Sequence, residues 1–325
     1  MQALNPEISK KWVILGTGGT IAGTADSAHD HTGYRSGQLG VDRLLAALPG
    51  WQECLPEDAL QCEQVAQLDS KDMDHQVWQT LAQRCIHHLA QPAVGGLVIT
   101  HGTDTLEETA WFLHQVLGSN KPVVLTCAMR PATALMPDGP QNLMDALAVV
   151  RDASANGVLV VCAGRIHSAK AVQKVHPYRM DAFHSGDAGP LGWIEQGRVR
   201  WSGQGQQLEA HAHVHAHRAL TVPVDQWPWV EVLGSHAGAR QDAVRALVAA
   251  GVQGLVVAGT GNGSVHHALL SALADARSQG VSVRLTSRCA EGQMVEGSQA
   301  LPMAPPGLNA CKARISLLLD LLGQA

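Results

Sequence analysis

Apolar residues in this chain gather in short unbroken runs, separated by segments in which they recur every three or four positions. WVIL at 12–15, GLVIT at 96–100, PVVLTCA at 122–128 and GVLVVCAG at 157–164 are runs of the first kind. Continuous rather than alternating apolar runs suit strands covered on both faces, as in a parallel α/β sheet. Between the second and third, DTLEETAWFLHQVL sets Leu106, Ala110, Leu113 and Leu117 at helical spacing, with Thr105 and Glu108 spaced as a capping box. A second series follows: VEVLGSHAG at 230–238, a helix from Asp242 stopped by Gly251, GLVVAGTGNG at 254–263, a helix from about Val265, and VSVRLTSR at 281–288.

The pattern predicts an α/β protein of two domains. Residues 1–202 form a larger N-terminal domain with a mixed or parallel sheet and helices on both faces. A linker spans 203–220, and residues 221–325 form a smaller C-terminal parallel α/β domain. The linker reading rests on a stretch rich in Gly, Gln, His and Pro and poor in periodic apolar residues. Its four histidines, His211, His213, His215 and His217, would share one face of an extended strand and could capture a metal. No Cys or carboxylate cluster completes such a site, so a solvated linker is favoured and no metal is expected.

Composition narrows the function. With 46% hydrophobic and 16% charged residues the chain is globular, and its 325 residues suit two domains. The net charge is −5 and the 23 Lys and Arg are scattered, which argues against a nucleic-acid partner. No apolar run is long enough for a membrane span, and MQALNPEISKKWVIL lacks a secretory pattern. A cytoplasmic protein is expected, with a periplasmic one the alternative if a signal peptide has been removed. The seven cysteines include no C-x-x-C pair, and Cys127 and Cys162 fall in apolar runs, as reduced structural thiols would.

Two polar turns carry the candidate chemistry. The first strand runs into GTGGTIAGT, where glycines bring backbone N–H groups close to an anion and Thr20 adds a hydroxyl. A dinucleotide loop fails because Ile21 occupies the third glycine position of G-x-G-x-x-G, so no cofactor is expected. In VITHGTDTLEETA, Thr103 and Asp104 fall between a strand's carboxyl end and a helix, the edge where open α/β sheets bind ligands. A threonine hydroxyl is a weak nucleophile until something takes its proton. Tyr34 in the polar, glycine-flanked HTGYRSG, a candidate lid, and Lys174 in AKAVQKVHP are the candidate relays. A lysine partly desolvated beside a second cation can serve as a base.

GTGGTIAGT and VITHGTDTLEETA, with PVVLTCAMRP before DGPQNL, resemble the bacterial L-asparaginases, the type II group more closely than type I. ASANGVLVV, GPLGWI, GLVVAGTGNG and GLNACKAR extend the resemblance over nearly the whole chain. It implies that Thr20 is the primary nucleophile assisted by Tyr34, and that Thr103, Asp104 and Lys174 form a second catalytic group. It also implies that Ser70 binds the substrate α-carboxylate and Asp104 its ammonium. Asn262 would reach the active site of a neighbouring subunit in a homotetramer built as a dimer of dimers.

Two departures from the family pattern stand out. Lys71 follows the binding serine where a neutral or acidic residue is usual. It would repel a substrate ammonium, or pair with Asp104 or the substrate carboxylate. The segment TSRCAEGQMVEGSQALPMAPPGLNA is short, and Glu291, ahead of Glu296, is the candidate for the glutamate that supports the lid tyrosine. The function implied is hydrolysis of L-asparagine to L-aspartate and ammonia through an acyl-enzyme on threonine. The alternatives are hydrolysis of L-glutamine, D-asparagine or a substituted β-amide, or a non-catalytic amino-acid binder.

Overall fold

The computed structural model describes residues 10–48, 50–54, 56, 59–203, 213–297 and 300–324. The chain divides into two compact units, one of Met1–Ser185 with Gly189–His211, the other of Gly186–Ala188 with Ala212–Ala325.

In the first unit the elements are, in chain order, β1 (Lys11–Gly18), α1 (Val41–Ala46), α2 (Trp51–Cys54), β2 (Leu60–Leu68), α3 (His75–Leu89), β3 (Val94–Thr100), α4 (Leu106–Leu117), β4 (Val123–Thr126), α5 (Gly139–Arg151), β5 (Val158–Cys162), β6 (Arg165–Ser168), β7 (Gln173–Lys174), β8 (Phe183–His184), β9 (Gly192–Glu195) and β10 (Arg198–Trp201). Among the described residues, eight strands form one sheet in the order β10-β9-β6-β5-β4-β3-β1-β2. The five from β2 to β5 are mutually parallel, whereas β6, β9 and β10 join antiparallel. Tight turns make β5–β6 and β9–β10 hairpins, whereas β6 reaches its antiparallel partner β9 through the longer segment that carries β7 and β8.

Burial explains the unbroken apolar runs. Ile14, Val98, Val124, Leu159 and Val161 join a core with Val41 and Leu45 of α1 and Leu143, Ala146 and Val150 of α5. The alternate residues Val13, Leu15, Leu97, Ile99 and Val160 are equally inaccessible. Helix α3 packs against β2 and β3 and against α4, with Trp78 stacked on Phe112 at 5.0 Å between ring centroids. The parallel strands β1, β3, β4 and β5 therefore have no solvent face, and a period-2 pattern would have exposed one.

The order of the parallel strands fixes where a ligand can sit. From β1 the chain goes first to β2 on one side and then to β3 on the other, so the winding reverses between β1 and β3. Such a reversal leaves a crevice at the strands' carboxyl ends. Thr20 follows β1 and Thr103 follows β3.

The second unit holds α6 (Ala216–Thr221), β11 (Val230–Gly234), α7 (Asp242–Ala249), β12 (Gly254–Gly259), α8 (His267–Ser278), β13 (Ser282–Ser287) and α9 (Ala310–Gln324). Its three strands are parallel, in the order β11-β12-β13. Part of the stretch read as a linker at 203–220, His211 included, lies outside the described residues. The remainder differs from that expectation. Ala216 and Ala219 of α6 are buried, His213 Nε2 lies 3.0 Å from Asp320 Oδ1 of α9, and Arg218 Nε donates to Leu322 O. A turn at 214–215 and helix α6 therefore replace the single extended face on which His213, His215 and His217 were expected. No metal-binding group of three His, Cys, Asp or Glu occurs among the described residues. Among them, too, no helix is long and apolar enough to cross a membrane.

Candidate active site

Two glycine turns meet at the crevice. Gly18 and Gly19 have φ of 97° and 81°, the left-handed region that side chains avoid. A Cβ on Gly19 would strike the Gly102 backbone, and one on Gly102 would lie 2.5 Å from Ser70 Oγ. The turns after β1 and β3 thus touch backbone to backbone, and the Ser70 turn closes on the same point. Thr17 Oγ1 donates to Thr100 O at 2.9 Å and ties the two strand ends together.

Thr20 opens a one-turn 3-10 helix and is 5% exposed. Its Oγ1 lies 2.6 Å from the Tyr34 hydroxyl. Tyr34 is delivered by a loop folded back on the Thr20 turn: Thr24 and Arg35 exchange backbone hydrogen bonds of 2.9 and 2.8 Å, and Gly37 N donates to Gly19 O. One hydroxyl pair is therefore held shut by the backbone on both sides.

The second group is a hydrogen-bonded triad. Lys174 Nζ donates to Thr103 Oγ1 at 2.8 Å and to Asp104 Oδ1 at 2.6 Å. Thr103 is buried, the Lys174 side chain is 17% exposed and that of Asp104 51% exposed. The neighbour of Lys174 is thus a carboxylate, where base chemistry had been argued from a second cation. The short β7–β8 ladder carries Lys174, and Glu107 Oε2 accepts its backbone N–H at 3.1 Å.

Ser70 is 2% exposed, and its Oγ accepts from the Asp104 N–H at 3.1 Å. With the oxygen held as an acceptor, the hydroxyl proton is free to turn toward an anion. Thr105 differs from its expected role. Its hydroxyl donates to Ser70 O at 2.7 Å and makes no cap bond to its own helix. A cap would use the oxygen's lone pairs and not its proton, so it is the turning of the side chain toward Ser70 that leaves the cap unmade.

Lys71 sits on the Ser70 turn, and its ammonium is engaged away from Asp104. Nζ lies 2.7 Å from Asp72 Oδ2 and 3.4 Å from Asp69 Oδ2, with 62% of the side chain exposed. The hydrogen bond to Asp72 holds its pKa above the ordinary lysine value. Asp69 was not singled out from sequence, yet it accepts from Lys71 N and from Ser36 Oγ at 3.2 Å, so it joins the Ser70 turn to the Tyr34 loop. An Asp directly before Ser is the signal that would have found it, since Asx side chains cap such turns.

The structure brings Thr20 to Tyr34, and Thr103, Asp104, Lys174 and Ser70 to one another. Asn262 and Glu291 belong to the second unit. Both ends of the Asn262 amide bind the Val295 backbone, Oδ1 accepting at 2.7 Å and Nδ2 donating at 3.0 Å, and Glu291 is exposed. His101, at the end of β3, also escaped the sequence reading. Burial pushes its imidazole down to about 4.

The chain that carries these paired threonine turns matches two known family models. Residues 11–207 match "Asparaginase, N-terminal" and residues 229–324 match "Glutaminase/Asparaginase C-terminal domain". The chain belongs to the asparaginase family. It is 37% identical over 315 residues to "L-asparaginase 2" of Escherichia coli (strain K12), covering 95% of this chain and 88% of that one. It is 36% identical to "Probable L-asparaginase periplasmic" of Haemophilus influenzae, covering 95% and 87%. "Glutaminase-asparaginase" of Pseudomonas fluorescens biotype A is 35% identical, with 95% and 85% covered. Among solved structures, a "Probable Cytoplasmic L-asparaginase from Campylobacter jejuni" superposes with a TM-score of 0.87 at 36% identity, covering 96% of this chain and 95% of that one.

Proposed function

We propose that this asparaginase hydrolyses L-asparagine to L-aspartate and ammonia by covalent catalysis at Thr20. The observation that carries the reading is the pair of buried hydroxyls at one crevice, Thr20 bonded to Tyr34 and Thr103 bonded to Lys174. Thr20 Oγ1 attacks the side-chain amide carbon while its proton moves off through Tyr34. Backbone N–H groups of the two glycine turns hold the oxyanion. The C–N bond then breaks, and ammonia leaves with a proton supplied through Thr103 and Lys174. Water next adds to the Thr20 ester, and aspartate departs as the threonine hydroxyl is restored. Two easier steps replace one hard amide hydrolysis.

Binding follows from charge. Ser70 Oγ–H donates to the substrate α-carboxylate, and the Asp104 oxygen left over from the Lys174 pair accepts from the α-ammonium. With Lys71 engaged by Asp69 and Asp72, its cation is no obstacle to that ammonium.

A second substrate, L-glutamine, is favoured by relatives named glutaminase-asparaginase. Ammonia release measured with L-asparagine and L-glutamine in parallel tests the reading. A higher kcat/KM for asparagine supports it, and release from neither amide leaves the binder in its place. The assignment extends to a homotetramer in which Asn262 reaches the neighbouring subunit's site and Glu291 supports the lid tyrosine. Light scattering on the purified protein tests the assembly. Both periplasmic and cytoplasmic relatives are named, and we assign the cytoplasm, with cell fractionation as the test.

A further inference from the structure

His101 lies two residues before Thr103, is wholly buried, and takes no part in the chemistry above. Its Nδ1 is 2.7 Å from Gly102 O, and its Nε2 is 2.9 Å from Thr109 Oγ1. The same Thr109 oxygen lies 2.9 Å from Trp78 Nε1. Thr109 is fully buried and Trp78 nearly so.

The direction of this chain can be worked out from what each group is able to do. A carbonyl oxygen only accepts, so the Gly102 contact requires a proton on Nδ1. An indole nitrogen only donates, so Thr109 Oγ1 accepts from Trp78. The Thr109 hydroxyl keeps one proton, and the lone pair of a neutral His101 Nε2 is there to receive it. A ring protonated on Nε2 alone would set a bare Nδ1 lone pair against the Gly102 oxygen. A ring protonated on both nitrogens would bury a cation with no carboxylate in hydrogen-bond contact. The neutral form with its proton on Nδ1 is the one that satisfies all three contacts.

This bond acts on the catalytic turn. Gly102 O is the carbonyl of the Gly102–Thr103 peptide, and in a trans peptide the carbonyl and the following N–H point to opposite sides. Anchoring the carbonyl to the ring sends the Thr103 N–H away from the ring and fixes the plane from which the Thr103 side chain projects. Gly102 has no Cβ to resist rotation of that plane, and the space beside it holds Gly19 and Ser70.

We propose that His101 is a positioning residue, locked as the neutral Nδ1–H tautomer by Trp78 and Thr109, which orients the Gly102–Thr103 peptide for catalysis. The proposal rests on the assignment of Thr103 to the relay, but the tautomer can be read without any turnover. Protein labelled with 15N histidine is examined by magic-angle-spinning NMR at pH 7. The His101 signals are identified by their loss in His101→Gln and by their displacement in Thr109→Ser, which keeps the hydroxyl. A protonated Nδ1 with a bare Nε2 is expected, and an Nε2–H tautomer or an imidazolium overturns the proposal.

Kinetics test the consequence. Thr109→Val removes the hydroxyl at constant shape, and kcat should fall about tenfold or more, as misplacement of reacting groups does. KM should stay within about threefold, because substrate binding is left in place. Thr109→Ser should restore kcat. Wild-type kcat in Thr109→Val, with Thr103→Val inactive, overturns the positioning role and leaves the relay intact. Activity in Thr103→Val overturns both.

Discussion

Acidification should cost this protein stability through His101 in particular. The perturbation is a change from pH 7 to pH 4. An unfolded histidine takes its proton near 6.5, whereas burial delays protonation in the folded chain to about 4. Between those values the unfolded state binds more protons, so stability rises with pH there. The contribution is complete above about 6.5 and is lost as pH falls toward 4. The gap between 6.5 and about 4, at about 1.4 kcal/mol per pH unit, comes to roughly 3 kcal/mol. Urea unfolding at fixed protein concentration reads it, with wild type and His101→Gln compared at each pH. Carboxylates that titrate in the same range, such as Glu63 held down by its bond to Arg84, are common to both proteins and cancel in the difference. The stability gap between wild type and variant should narrow by about 3 kcal/mol from pH 7 to pH 4. A gap that stays constant would refute the reasoning, because it would mean that the imidazole titrates alike in folded and unfolded chains.

Other expectations follow from the contacts of the site. Lys174→Met should lower kcat by about a hundredfold or more, as loss of a positioned proton-transfer group does, and steady-state ammonia release measures it. Thr105→Val should raise KM for L-asparagine by about fivefold to tenfold, the worth of one hydrogen bond to the Ser70 turn, with little change in kcat. Lys71→Gln should change that KM by less than about fivefold, because an exposed ion pair is worth little and its ammonium is already engaged by Asp69 and Asp72.

The sheet was legible because burial on both faces writes itself as unbroken apolar runs: β1 and β3 contain the runs at 12–15 and 96–100, and β4 and β5 fall within those at 122–128 and 157–164. The candidate site residues were legible for a related reason. Threonines, an aspartate and glycines at a strand's carboxyl end have no packing role to explain them. What stayed hidden depends on partners far apart in sequence. Thr105 is spaced for a cap, and nothing local reveals that Ser70 takes its hydroxyl. Trp78, Thr109 and His101 read separately as core residues, although one chain of hydrogen bonds joins them. The histidines at 213–217 suggested an extended linker because their alternation masked Ala216 and Ala219, the two small residues that bury α6.

The central claim is that Thr20 forms the covalent bond and Thr103 serves the relay. Ammonia release from L-asparagine by purified Thr20→Ala, Thr103→Val and wild type, each shown by circular dichroism to be folded, addresses it most directly. Near-complete loss of turnover in both variants is predicted. Near-normal turnover in folded Thr20→Ala would contradict the account and move the nucleophile elsewhere.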